Sequence, residues 1–140
     1  MKYVCDAPDG KTWFRLETEA EAERESGLMQ HAVEKYFRRE REKAVRTFKP
    51  ASAKFIEQNI GLGAHLQREM PLFLTLRDRD GNGLATAMLA PGGRDDPGFQ
   101  KIIVGKANSD PYPEHEAAIQ ALGSHFGLVL ERAACFPYRR

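Results

Sequence analysis

Alternating apolar and polar residues predict strands at both ends of the chain and in its middle. Residues 2–16 are typical of a hairpin, because two β-rich runs flank the turn residues Asp6 to Gly10. A second hairpin is predicted where the runs LFLTLRD and GLATAMLA meet at the sequence DRDGNG. Two further strands are predicted in the second half of the chain, FQKIIVGKA with a buried centre and LVLERAACF near the C-terminus.

A long helical segment is predicted after the first hairpin. Thr18, followed three residues later by Glu21, is typical of a capping box at a helix N-terminus. The helical period continues from there to about Phe48, and Pro50 is expected to end it. Gly27 is the residue expected to break or bend this segment.

The remaining helices complete the order of elements. One or two short helices are predicted over residues 52–69, and a capped helix that Gly127 closes is predicted over residues 110–126. The resulting order, β-β-α-α-β-β-β-α-β, is dominated by hairpins. It predicts a single α+β domain over residues 1–140, with a mostly antiparallel sheet and helices packed on one face.

The loop DRDGNG has two interpretations. Asp78, Asp80 and Asn82 carry oxygen at positions 1, 3 and 5 and Gly83 stands at position 6, as in the opening of an EF-hand calcium loop. Position 12, which should be a bidentate acid, is Leu89, and the flanking segments are β-like rather than helical. Adjacent Asp-Gly and Asn-Gly dipeptides favour a hairpin turn, so no metal site is predicted.

Composition excludes several classes of protein. The chain has 140 residues, 41% of them hydrophobic and 29% charged, which is typical of a globular protein. A net charge of +1 gives no overall attraction to nucleic acid or anionic lipid. Neither a signal peptide nor a membrane span is expected, so we expect a cytoplasmic protein with no membrane partner. A bacterial protein is also expected. Cys5 and Cys135 are expected to be free thiols, with a disulfide between the terminal segments as the alternative.

The long helical segment separates apolar from basic residues over positions 28–49. Its apolar side gathers Met29, Val33, Tyr36, Phe37, Ala44 and Phe48. Its basic side includes the candidate ligand-binding residues Arg38, Arg39, Lys43 and Arg46. A basic face of this kind binds phosphates in nucleic-acid-binding proteins, but a solvated face is the commoner role, and the aromatic residues here lie on the apolar side. Nucleic-acid binding is therefore the less favoured hypothesis.

Two places in the sequence suggest a catalytic site. Glu40 interrupts the apolar side of the long helix, where a carboxylate needs a partner or acquires a raised pKa. The sequence DPYPEHE places Asp110, Tyr112, Glu114 and His115 at the predicted start of the last helix, where ligands often bind. An enzyme that uses His115 with Glu40 or Asp110 is one hypothesis, although no serine or cysteine stands in a nucleophile motif.

The sequence favours a non-enzymatic module that binds a small ligand or a protein partner. Its candidate ligand-binding surfaces are Tyr112, Glu114 and His115 at the start of the last helix, together with the basic side of the long helix. No cofactor is predicted, because the chain has neither a glycine-rich phosphate loop nor histidines with metal-ligand spacing. A homo-oligomer is compatible with this hypothesis.

Overall fold

The computed structural model describes residues 1–50 and 54–138. These residues form one antiparallel sheet and four α-helices, which confirms the predicted α+β class. The strands are β1 Lys2–Ala7, β2 Lys11–Arg15, β3 Leu72–Arg77, β4 Gly83–Leu89 and β5 Ile102–Gly105. The helices are α1 Glu19–Met29, α2 Val33–Thr47, α3 Phe55–Glu69 and α4 Tyr112–Phe126. The sheet order follows the chain, β1-β2-β3-β4-β5.

The helices cover both faces of the sheet, so the prediction that they pack on one face is wrong. Alternate side chains of a strand point to opposite faces. In β3, Leu72, Leu74 and Leu76 pack in a core that includes residues of α4. Phe73, one position out of phase, packs in a second core with residues of α1 and α2. β3 therefore contributes to a core on each of its faces, with a helix layer on either side of the sheet.

The predicted long helix is two helices, and the break is not at Gly27. Gly27 lies inside α1, which ends at Gln30 in the left-handed conformation with φ 54°. The first turn of α2 has no cap from its own flanking residue; instead, the hydroxyl of Ser26 accepts hydrogen bonds from the amides of Val33, at 2.9 Å, and Glu34, at 3.0 Å. A side chain of α1 thus satisfies the start of α2, which lets the chain turn a corner at residues 30–32.

The helical prediction for residues 52–69 corresponds to one helix, α3, although residues 52 and 53 lie outside the described residues. α3 ends at Glu69, as the predicted range does, and Met70 and Pro71 follow it. Its apolar side chains Phe55, Ile56 and Ile60 are largely exposed. α3 therefore contributes less than α1, α2 and α4 to the cores of the protein.

The DRDGNG loop forms the turn between β3 and β4, which confirms the predicted hairpin. Oδ1 of Asp78 accepts hydrogen bonds from the amides of Asp80 and Asn82, both at 2.9 Å, and Oδ2 accepts one from Nδ2 of Asn82 at 3.0 Å. These hydrogen bonds, led by that from the Asn82 side chain, lower the pKa of Asp78. Gly81 supplies the positive φ, 83°, that the turn requires.

The predicted last strand, LVLERAACF, does not form. The segment carries a short 3-10 turn at Arg132–Ala134, and among the described residues its backbone pairs with a strand at one bridge, where Phe136 lies parallel to Ile102. Its side chains Leu130 and Cys135 still pack in the core beside the sheet. Its backbone is held by α4 instead, since the hydroxyl of Tyr112 donates to the Leu130 carbonyl at 2.8 Å. Gly127 closes α4 with φ 70°, as the sequence predicts.

Two further expectations concern the cysteines and the membrane. Cys5 is half-buried and Cys135 is buried, and both are free thiols, as predicted. None of the helices in the described part of the chain combines the length and the apolar content that crossing a bilayer requires.

Candidate functional site

A cleft of about 720 Å³ opens on the face of the sheet that α1 and α2 cover. One wall is the corner between α1 and α2 with the first turns of α2, and the floor is provided by β4 and β5. Residues 98–100 and the Phe136–Pro137 segment close the other side. The volume lies within the usual range for sites that bind small molecules, roughly 300–1,000 Å³.

The cleft exists because the helices on this face stop short of the last strand. Ile103 of β5 is fully buried on the α4 face, whereas Ile102 and Val104 point to the opposite face and are only half-buried. Met88 on β4 is half-buried as well. An apolar strip of the sheet is thus left without a helix over it, and this strip lines the cleft.

A buried ion pair lies beside the cleft. Glu25 of α1 is fully buried, and its Oε1 accepts a hydrogen bond from Nη2 of Arg77 at 2.7 Å. Only 9% of the Arg77 side chain is exposed. Its other nitrogens donate to Oγ1 of Thr75 at 2.9 Å and to the carbonyl of Gly81 at 3.3 Å. These bonds satisfy the guanidinium, so the pair ties α1 to the end of β3.

Hydrogen bonds continue from this ion pair to His31 on the wall of the cleft. Oγ1 of Thr86 donates to Oε2 of Glu25 at 2.7 Å, since a carboxylate that pairs with a guanidinium can only accept. The single hydroxyl hydrogen of Thr86 is then used, so its oxygen must accept from Nε2 of His31, 3.0 Å away. His31 is therefore the tautomer with hydrogen on Nε2.

This arrangement leaves Nδ1 of His31 as a bare acceptor. The atom is buried and has no hydrogen-bond partner within residues 1–50 and 54–138. Burial lowers the pKa of His31, while the charge of Glu25 and the nearby carbonyl of Gly105 act in the opposite direction. A neutral ring with an unused lone pair therefore stands beside the cleft.

The residues of the predicted catalytic cluster have other partners. Nδ1 of His115 lies 3.1 Å from Nζ of Lys11, and its Nε2 lies 3.8 Å from a carboxylate oxygen of Glu114. Burial and, next, the charge of Lys11 lower the pKa of His115. Tyr112 is buried and donates to the backbone, and burial raises its pKa.

The carboxylates proposed to act with His115 lie in ion pairs elsewhere. Asp110 accepts from the amide of Tyr112 at 3.0 Å and from Nε of Arg132 at 2.9 Å, so it satisfies the first amide of α4 and holds the segment after that helix. Glu40 lies 3.3 Å from Arg39 and 3.5 Å from Lys43. The structure thus brings His115 together with Lys11 and Glu114, rather than with Glu40 or Asp110.

The predicted basic side of the long helix lies on α2. Arg38 forms an ion pair with Glu19 at 2.5 Å, and Lys43 shares Glu40 with Arg39. Arg46 lies exposed near the end of α2. Of these basic residues only Arg39 lines the cleft.

The sequence contains a signal for the ion pair that sequence reasoning missed. Glu25 falls in the helical stripe Ala22, Glu25, Met29, all of which are buried. Thr75 and Arg77 alternate with the leucines of β3, and so lie on the face that α1 covers. A carboxylate in an apolar stripe and an arginine on an inner strand face each require a partner, and pairing them predicts the contact.

No family model, curated protein or solved structure matches this chain. Among the described residues, no group of three or more His, Cys, Asp and Glu side chains is placed to hold a metal ion. The fold and the site together define an α+β protein with an apolar cleft beside a buried ionic network. Its function is therefore inferred from the chemistry of that cleft.

Glu25→Ala is expected to lower the free energy of unfolding by about 3–5 kcal/mol, because it leaves the Arg77 guanidinium buried without its carboxylate. Urea unfolding at pH 7.5 measures this loss. Glu23→Ala, at an exposed position of the same helix, is the matched control and should change stability by no more than about 0.5 kcal/mol. Equal losses in the two variants would contradict the proposed role of the ion pair.

His31→Gln is expected to weaken the pH dependence of stability between pH 7.5 and 5.5. Since the folded pKa of His31 is lowered, the unfolded chain takes up the proton first, and wild-type stability falls as pH drops through about 6.5. Part of the slope remains in the variant, because the pKa of His115 is lowered too. Unfolding curves across this range measure the slope. His125→Gln, at an exposed site, is the control. If His31→Gln leaves the slope unchanged, the lowered pKa of His31 in the folded protein is wrong.

Proposed function

We propose that this protein is a binding module that takes a small, largely apolar ligand in the cleft between the α1–α2 corner and strand β5. The observation that carries the proposal is the apolar side of β5, where Ile102 and Val104 are half-buried and line the cleft with Met88 of β4 beside them. Soluble proteins rarely leave contiguous apolar surface of this kind in a concave site without a ligand or partner for it.

The polar groups around the cleft support binding rather than catalysis. Thr86 and Nε2 of His31 bond to each other, and Thr86 is also bonded to Glu25. No serine or cysteine is among the described residues that line the cleft. Binding sites are usually lined by apolar side chains with a few fixed polar groups, and the polar groups orient the ligand.

The hypotheses of catalysis through His115 and of nucleic-acid binding receive less support. The carboxylates considered for catalysis, Glu40 and Asp110, are engaged in ion pairs. On α2, Arg38 and Lys43 lie close to carboxylates, which reduces the positive charge available to phosphates.

The proposal includes a cytoplasmic setting, which the free thiols of Cys5 and Cys135 support because thiols persist in reducing compartments. A protein partner, a homo-oligomer and a bacterial origin stay predictions. A protein partner would bind the exposed apolar side chains of α3, which are Phe55, Ile56 and Ile60.

A neutral probe, 4-phenylbutan-1-ol, is expected to bind in the cleft at millimolar concentration. The measurement is a ¹⁵N-resolved NMR titration, in which the amides of Tyr36, Ile102 and Val104 should shift saturably. Val104→Trp is expected to weaken binding about tenfold or more, because the larger side chain occupies the space that the phenyl ring of the probe needs.

Val129→Trp makes the same change at an exposed position that does not line the cleft, and it should leave the titration unchanged. The absence of shifts in the cleft, or shifts confined to α3 around Phe55 and Ile60, would overturn the proposed function.

A further inference from the structure

The charge that the described residues contribute to the lining of the cleft is positive. Arg39 is the only Lys, Arg, Asp or Glu among the described residues that line it. The uncharged polar side chains of the lining include those of His31, Thr86, Gln100 and Asn108, and none of the described lining residues is a carboxylate. A cationic ligand thus finds no counter-charge in the walls, whereas an anionic one finds a guanidinium.

We propose that the ligand is a monocarboxylate with an apolar aryl or alkyl body, and that Arg39 binds its carboxylate at the mouth of the cleft. This inference rests on the proposed function and names the chemical class of its ligand. A guanidinium presents a planar set of five N–H donors that matches a carboxylate in bidentate fashion. A single arginine provides one charge, which suits one carboxylate better than a doubly charged phosphate ester.

Arg39 retains positive charge and donors for such a ligand. Its guanidinium lies 3.3 Å from Oε1 of Glu40, but Nζ of Lys43 approaches the same oxygen at 3.5 Å. Two cations thus share one carboxylate, so one positive charge in this trio is unmatched. The Arg39 side chain is 52% exposed, and only one of its N–H groups donates to a described residue.

Aromatic residues at the mouth position the guanidinium and receive the apolar body. The Arg39 guanidinium lies 4.9 Å from the centre of the Tyr36 ring, a cation–π contact that holds it over one wall. Tyr36 and Phe136 are 44% and 45% exposed, which is unusual for large aromatic side chains in a concave site. A ligand body that reaches from Arg39 toward Val104 covers both rings and the uncovered strip of β5.

Three probes with the same carbon skeleton test the class: 4-phenylbutyrate, 4-phenylbutan-1-ol and 4-phenylbutylammonium, each titrated by NMR at pH 7.5 and low salt. In the wild-type protein, 4-phenylbutyrate is expected to bind about fivefold more tightly than the alcohol, and the ammonium more weakly than either. Arg39→Gln should remove the preference for the carboxylate, so that the dissociation constants of 4-phenylbutyrate and of the alcohol become equal in the variant.

Arg46→Gln is the matched control, since Arg46 is an exposed arginine of the same helix outside the cleft, and it should preserve the preference for the carboxylate. Equal binding of the three probes, or tightest binding of the ammonium, overturns the ligand class while leaving the proposed binding function in place. A carboxylate preference that survives Arg39→Gln overturns the role of Arg39. If none of the probes shifts the amides of the cleft, both the class and the proposed function fail.

Discussion

The arrangement of this protein depends on one buried contact, the ion pair between Glu25 and Arg77. A fully buried carboxylate is costly unless a cation and further hydrogen bonds satisfy it. Both oxygens of Glu25 are used, one by Arg77 and the other by Thr86, at 2.7 Å each. Because these partners lie on β3 and β4, the pair fixes where α1 crosses the sheet. Apolar packing fixes α1 in the same position. Met29 of α1 lies so close to Gly83 of β4 that a Cβ on Gly83 would be 2.6 Å from the Met29 sulfur.

The position of α1 determines the cleft. α1 ends at Gln30, Ser26 caps the start of α2, and the corner between the helices brings His31 to Thr86. The two helices then cover the sheet as far as β4 and leave the apolar side of β5 open. The ionic network is thus structural in itself, while the surface it leaves uncovered is available to a ligand. This division explains why a buried ionic network lies beside an apolar cleft.

Local signals account for what the sequence predicted well. The hairpin turn at Asp78–Asn82 forms through bonds between residues at most four positions apart, and the capping box at Thr18 spans three. Strand alternation and a C-terminal glycine are equally local, so the sheet and the end of α4 were predictable. The fold class followed from the order of these elements.

Contacts between distant residues account for what the sequence did not predict. Glu25 and Arg77 are 52 positions apart, and Thr86 lies 61 positions from Glu25. The break between α1 and α2 combines the left-handed Gln30 at the corner with Ser26, a residue near the end of α1 that caps α2 from seven positions away. The predicted last strand is instead a segment held by Asp110, just before α4, and by Tyr112 of α4, through contacts across about twenty residues that no local pattern reveals.

The tautomer of His31 reports on the whole network around Glu25, because it depends on the direction of every hydrogen bond from Arg77 to the cleft. Long-range ¹H–¹⁵N NMR of the imidazole at pH 7.5 distinguishes the two ring nitrogens. If Glu25 accepts from both Arg77 and Thr86, Nε2 of His31 carries the hydrogen and Nδ1 carries none. A ring protonated at Nδ1, alone or at both nitrogens, would contradict the account.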